Sequence, residues 1–148
     1  MAAIEVRAAQ QDDFDRWLPL WRGYQRFYEV DIADDVSRLT WQRFLDDAEP
    51  MHCDLATVDG VVRGLVHSFD HRSCWTREPS CGRPDLYVAP ECRGQRLGRR
   101  LIEHVYAQAK ARGCARVHWL THETNHTAMQ LYDRLAQKSG FVQYRKTL

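Results

Sequence analysis

Apolar positions recur every three or four residues along Trp17, Leu20, Trp21, Tyr24, Phe27 and Tyr28. That is the period of an amphipathic helix with one face turned to a core. Asp12 or Asp13 is placed to cap it, with Asp15 in its first turn. Pro19 falls inside the run and predicts a kink or a restarted helix. Ahead of it, Ile4 to Ala8 reads as a short strand. Beyond the acidic loop Glu29 to Asp35, Ser37 is placed to cap a second helix reaching about Asp46. The pattern then changes to strands. Cys53 to Val58 and Val61 to Phe69 form a hairpin around Asp59-Gly60, a pair suited to a tight turn. The polar stretch His71 to Arg83, with Pro79 and Gly82 in it and Pro84 beyond, reads as a connection to a short strand, Asp85 to Val88. Arg93-Gly94 opens a long helix with Leu97, Leu101, Ile102, Val105 and Ala109 on one face, and Gly113 ends it. A strand at Ala115 to Thr121, a helix at Asn125 to Gln137 and a last strand at Phe141 to Tyr144 complete the prediction.

Strand, helix, strand, helix in the second half implies a parallel βαβ unit, and the hairpin in the first half makes the sheet mixed. The expected class is α/β, in one domain over residues 1–148, with no repeat or linker. Hydrophobic residues at 44% and charged residues at 28% suit a globular core, and five Trp argue against disorder. A net charge of +1 argues against a dedicated nucleic-acid binder, which would usually carry a strong basic excess. No apolar run approaches the roughly 20 residues of a membrane-spanning helix. Met1 to Arg7 lacks a signal core, so the protein is expected to stay in the cytoplasm. The five scattered Cys, odd in number and without Cys-x-x-Cys spacing, fit reduced thiols there.

The candidate chemistry begins at Leu86-Tyr-Val-Ala-Pro-Glu-Cys-Arg-Gly-Gln-Arg-Leu-Gly-Arg-Arg-Leu-Ile102. A strand ends, a basic glycine-containing turn follows, and a long helix starts. Free backbone N–H groups and the positive end of the helix then converge on one point, which suits phosphate oxygens. Gly94 and Gly98 leave room for close approach, and Arg93, Arg96 and Arg99 add charge. The spacing is neither a Walker loop nor Gly-x-Gly-x-x-Gly. Taken alone, the plainer reading is a basic first helical turn with a glycine used for packing.

Arg93-Gly-Gln-Arg-Leu-Gly-Arg99 resembles the pyrophosphate-binding turn of the GNAT superfamily of N-acetyltransferases, Gln/Arg-x-x-Gly-x-Gly/Ala. Arg93 and Gly98 match, and Arg96 stands where the middle glycine usually is. A residue with a side chain can take helical dihedrals there, and its guanidinium could reach a phosphate. The later stretch from His118 through Asn125, Ala128 and Leu131-Tyr132 to Gly140-Phe141 is similar to a second pattern of the family. The first half fits as well, and the whole looks like the subgroup with yeast histone-type and polyamine-type members. The resemblance implies a mixed, mostly antiparallel sheet whose splayed parallel central strands, flanked by helices, receive the cofactor.

It also implies direct acetyl transfer from acetyl-CoA, without a metal, to a primary amine. The acceptor classes are a polyamine, an amino acid, an aminoglycoside-like amine, or a protein lysine or N-terminus. Backbone groups of Leu86, Tyr87 and Val88 would meet the pantetheine arm or the acetyl group. The amides of Gly94, Gln95, Arg96, Leu97, Gly98 and Arg99, with Arg93, would hold the pyrophosphate. Asn125 would anchor the CoA arm or an ordered water, Ala128 would lie with it at the cofactor, and Tyr132 would protonate the departing thiolate. Polyamine-type relatives carry a Glu-Asp pair at the entry to the pantetheine strand. Pro84 stands at the Glu position here, which leaves Asp85 as the candidate base, acting directly or through water, against the plainer reading of a strand-end cap. His67 and His118 are the alternative bases. Relatives are commonly homodimers.

Other groupings are weaker. His67-x₃-His71-x₂-Cys74 and His118-x₃-His122-x₃-His126 match no closed zinc pattern. Cys92, beside the basic turn, reads as a bystander. The acidic loop reads as a solvated stretch or as part of an acceptor pocket, and Tyr24, Tyr28 and Trp75 as core or as its walls. A non-catalytic acetyl-CoA sensor is the alternative function, and retention of both Asn125 and Tyr132 favours the enzyme.

Overall fold

A computed structural model describes residues 2–148 of the chain. Strand β1 (Ile4–Ala8) leads through a 3-10 turn into helix α1 (Phe14–Phe27), followed by α2 (Asp34–Phe44). Strands β2 (Met51–Val58), β3 (Val61–His71) and β4 (Ser80–Val88) come next. Helix α3 (Leu97–Ala111), strand β5 (Arg116–His118) and helix α4 (His126–Leu135) complete the order. The five strands lie in the order β1-β2-β3-β4-β5. All neighbours are antiparallel except β4 and β5, which run parallel at one end of the sheet. The mixed, mostly antiparallel sheet flanked by helices is therefore present as expected.

Two apolar layers fix the arrangement. Trp17, Trp21 and Trp41 pack with Leu55, Val62 and Leu65 between the sheet and α1–α2. A buried aromatic side chain removes roughly 150–250 Å² from water, worth about 4–6 kcal/mol before entropy is counted. On the other face, Leu97, Leu101, Val105 and Ala109 of α3 meet Ala56, Val66 and Cys81. The α3 stripe is the apolar face read in the sequence. The hairpin turn also stands where expected: Asp59 and Gly60 both have positive φ, at 50° and 81°, as a twisted two-residue turn requires.

Several local expectations are corrected. Helix α1 runs unbroken through Pro19. Asp13 does not cap it; its buried carboxylate turns back to Arg7, at 2.7 and 3.0 Å, and to the Gln10 amide at 2.8 Å. The Arg7 hydrogen bonds, against the cost of burial, lower the Asp13 pKa to about 2. A depressed acid stabilises the fold above its ordinary pKa of 3.8, and that contribution is lost as pH falls through about 2. Ser37 is not a cap either. It lies inside α2 and its hydroxyl accepts the Trp21 indole N–H at 3.1 Å, because a buried indole needs a partner. Strand β4 begins at Ser80, within the stretch read as a polar connection, and β5 has only three residues. Residues 141–144 form no strand, and their apolar side chains stand exposed.

Candidate active site

Strands β4 and β5 pair only from Ser80–Arg116 to Gly82–His118. Beyond that point no register joins them, so β4 from 83 to 88 faces a gap on the β5 side. The other side of β4 stays paired to β3, from His67–Asp85 to Gly64–Val88. The Ala89 amide donates to the Arg63 carbonyl at 2.8 Å. Antiparallel ladders alternate their bonded positions, so Tyr87 and Asp85 spend their backbone groups on β3. The backbone groups of Leu86 and Val88 point the other way, into the gap. Tyr87 is fixed as a packing residue: a Cβ built on Gly23 of α1 would lie 2.7 Å from its hydroxyl, and the Arg93 guanidinium covers its ring at 5.6 Å.

The turn from β4 into α3 lies at the far end of this gap. Gly94 has φ +88° and Arg96 has φ +64° with ψ 18°. Arg96 is thus left-handed, not right-handed helical, and a side chain in that conformation costs roughly 1–2 kcal/mol. The glycine usual in the family would avoid this cost. The two reversals leave the amides of Gly94, Arg96, Leu97, Gly98 and Arg99 without a protein acceptor among the described residues. Gln95 is the exception, bonded to the Cys92 carbonyl at 3.4 Å. Gly98 is not required by packing, since an added Cβ would meet only Leu131 at 3.6 Å, an ordinary contact. Arg99 is paired with Glu103 at 2.8 Å. Cys92 is buried beneath the turn in the α3 layer and offers no accessible thiol.

At the near end stands a chain of side chains on the α1 face. The Trp17 indole donates to His67 Nε2 at 3.0 Å, and His67 Nδ1 lies 2.8 Å from Asp85 Oδ2. An indole can only donate. His67 Nε2 therefore holds the lone pair, and Nδ1 carries the proton that faces Asp85. This removes His67 as a base, because its one basic nitrogen is already capped. Burial pushes the Asp85 pKa up, but the hydrogen bond with His67 leads the interactions that outweigh it and hold the group below the ordinary carboxylate value. Tyr24 is shifted the other way, by burial first and by the Asp85 charge second, so it stays protonated.

Helix α4 closes the gap from the β5 side. Asn125 stands at its N-cap, its amide 3.5 Å from Thr121 Oγ1. Tyr28 lies near it, and burial raises the pKa of that phenol. Tyr132, half-buried, meets the Trp119 ring edge-on at 5.4 Å. Ala128 lies on the same helix. Asp85, Asn125, Tyr132, Tyr24 and Tyr28 are thus brought to one place. Trp75 is not; it is largely exposed against Arg116 and Phe141. Asp34 of the acidic stretch opens α2 and pairs with Arg22 at 3.5 Å. His118 meets His71 at 3.0 Å, away from His67, and burial first, then the neighbouring His71, lowers its pKa. Among the described residues no three His, Cys, Asp or Glu side chains gather as a metal site.

Sequence reading missed Arg83. Its side chain is 3% exposed, and its guanidinium lies 4.6 Å from the Trp119 ring and 5.3 Å from the Tyr132 ring. It sits in a bulge, where β4 spends three steps from Gly82 to Asp85 against two of β3 from Phe69 to His67. A bulge re-aims a side chain. The sequence offered one faint signal, an arginine between Gly82 and Pro84.

Comparison with known proteins identifies the family and the fold. The acetyltransferase (GNAT) family pattern matches residues 14–136. The chain is 34% identical to a D-amino-acid N-acetyltransferase, HPA3, of Saccharomyces cerevisiae, over 97% of this chain and 90% of that protein. A ribosomal-protein-alanine N-acetyltransferase of Brucella melitensis shares the fold at a TM-score of 0.83, with 19% identity and 99% of both chains covered. So does AAC(6')-Iy bound to a bisubstrate analogue of CoA and an acetylneamine, at a TM-score of 0.84, with 16% identity and 99% of both chains covered.

Proposed function

The chain belongs to the acetyltransferase (GNAT) family and is an N-acetyltransferase, and from that premise we propose that it moves the acetyl group of acetyl-CoA directly to a primary amine at the gap between β4 and β5. The observation that carries this reading is the gap itself. It has free backbone at Leu86 and Val88, unbonded amides at Gly94 and from Arg96 to Arg99 at one end, and Asp85 with Tyr132 at the other.

The residues divide the work by chemistry. The amides of the Gly94–Arg99 turn and the positive end of α3 receive the pyrophosphate, with Arg93 beside them. Leu86 and Val88 pair with the pantetheine arm as a strand would, and Asn125 and Ala128 border its other side. Asp85, ionised at any pH where an amine is acetylated, holds the acceptor ammonium and passes its proton to water. The freed nitrogen forms a bond to the acetyl carbon as the carbon–sulfur bond breaks. Tyr132 gives its hydroxyl proton to the departing thiolate, and the second proton lost by the attacking nitrogen returns to the Tyr132 oxygen, which restores the phenol. General-acid help of this kind is worth ~10²–10⁴-fold.

Within the family we place the chain in the subgroup with histone-type and polyamine-type members, on the order and spacing of its motifs. We also take it to work in the cytoplasm, which its five free cysteines support, and as a homodimer, which the exposed Phe141, Val142 and Tyr144 support. One related protein is a D-amino-acid N-acetyltransferase and another is bound to a bisubstrate analogue of CoA and an acetylneamine, so an amino acid and an aminoglycoside-like amine head the acceptors to test. The test is thiol release from acetyl-CoA across a panel of amino acids of both hands, polyamines, aminoglycosides and lysine peptides. Turnover on at least one class is expected. Tight acetyl-CoA binding with no thiol release on any class would overturn the assignment.

A further inference from the structure

Arg83 is the one charged group at the site that the reaction described above does not use. A buried guanidinium is costly unless an anion and hydrogen-bond acceptors surround it. Arg83 makes no ion pair within 4.0 Å among the described residues, and its buried Nε has no hydrogen-bond partner. Asp85, two residues along the same strand, is hydrogen-bonded to His67 through Oδ2. What Arg83 does have is a stacking surface, the faces of Trp119 and Tyr132. Stacking fixes a guanidinium's plane and leaves its edge, where all five N–H donors lie, free to meet an acceptor. The β4 bulge aims it at the point where β4 and β5 part.

We propose that Arg83 binds the carboxylate of the acceptor, so that the substrate class is a free amino acid, its ammonium on Asp85 and its carboxylate on the Arg83 guanidinium. This rests on the acetyl-transfer reading above and narrows its acceptor. The two charges of an α-amino acid are one carbon apart, and the protein presents the complementary pair two residues apart on one strand. A polyamine or an aminoglycoside brings only positive charge, and placing either beside a buried arginine opposes binding. A planar carboxylate also suits the paired donors of arginine better than a lysine ammonium would.

The experiment compares each amino acid, in both hands, with the amine that lacks its carboxylate: alanine with ethylamine, phenylalanine with phenethylamine, lysine with cadaverine. The full chain and its Arg83→Gln and Arg83→Lys variants are assayed for thiol release, and for acceptor binding by calorimetry on the CoA-loaded protein. The parent is expected to favour the carboxylate-bearing member of at least one pair by about tenfold or more. Arg83→Gln should raise KM, or Kd, for that amino acid about 10–100-fold, move the matching amine by no more than a few-fold, and leave CoA binding intact. Arg83→Lys should recover part of the loss. An equal fall in kcat for both members of a pair would place Arg83 at the thiolate and overturn the proposal. A parent that prefers the amines would overturn it too. If no amine is acetylated at all, the proposed function fails, and the calorimetric comparison still decides whether Arg83 reads a carboxylate.

Discussion

Tyr132 is held by its ring, against Trp119 at 5.4 Å and the Arg83 guanidinium at 5.3 Å. Removing its hydroxyl therefore changes chemistry more than packing. In Tyr132→Phe, kcat is expected to fall ~10²-fold or more with KM for acetyl-CoA little changed, because the proton is needed only in the transition state. Steady-state kinetics on the chosen acceptor checks this. An unchanged kcat, with chemistry rate-limiting, would move the acid to water. The placement of Asp85 and Tyr132 at the gap could be expected from the sequence because each sits in a motif that fixes its neighbours. Arg83 could not, because its place depends on a bulge, and a bulge is set by the register of two strands and not by the residues of one. His67 shows the same limit. Its position on a strand suggested a base, but only the Trp17 indole, 50 residues away in sequence, reveals that its free nitrogen is taken.

The turn into α3 is where element geometry and binding separate most cleanly. Gly94 needs its positive φ, whereas Gly98 has space for a methyl group and no protein contact closer than 3.6 Å. Gly98→Ala should thus fold with a melting temperature close to the parent. Gly98→Asp should fold as well but lose CoA binding, since it sets bulk and negative charge beside amides that await a phosphate. Calorimetry with CoA, alongside circular dichroism to confirm the fold, separates the two effects. Equal CoA affinity for Gly98→Asp and the parent would remove this turn as the phosphate site. The turn, the α3 stripe and the Asp59-Gly60 hairpin were legible because each is written in contiguous residues. The first half of β4 was not. Ser80, Cys81 and Gly82 are polar or small, and they form a strand because β3 and β5 pair with them from either side. Phe141 to Tyr144 shows the reverse: a sequence that alternates like a strand, with no neighbour taking its backbone bonds.

At the scale of the whole molecule, packing is uneven. Every buried hydrophobic side chain among the described residues lies between Trp17 and Ala109. Helix α4 buries none, β5 pairs over three residues, and α4 is tied to α3 chiefly through Leu131 over Gly98 and the Tyr106 hydroxyl on the Leu135 carbonyl. The order of elements was readable from sequence because apolar period survives local error, but this imbalance was not, since Trp119, Leu120 and Leu131 look as apolar as the core. It has a consequence for ligand binding. A molecule lying between β4 and β5 touches the firm part through Leu86, Val88 and the α3 turn, and the loose part through Asn125 and Tyr132. It should tighten the second onto the first. Ligand at 100 times its Kd adds ~2.7 kcal/mol to stability. At about 2–4 °C per kcal/mol for a chain of this length, the melting temperature should rise by roughly 5–10 °C with acetyl-CoA. Hydrogen exchange should show where that stability goes, with new protection concentrated in residues 94–99 and 116–135 and little change in β1 and β2. Protection spread evenly over the chain would mean that binding raises only global stability and that the β5–α4 segment was already docked. No shift in melting and no heat of binding would remove the gap as the acetyl-CoA site.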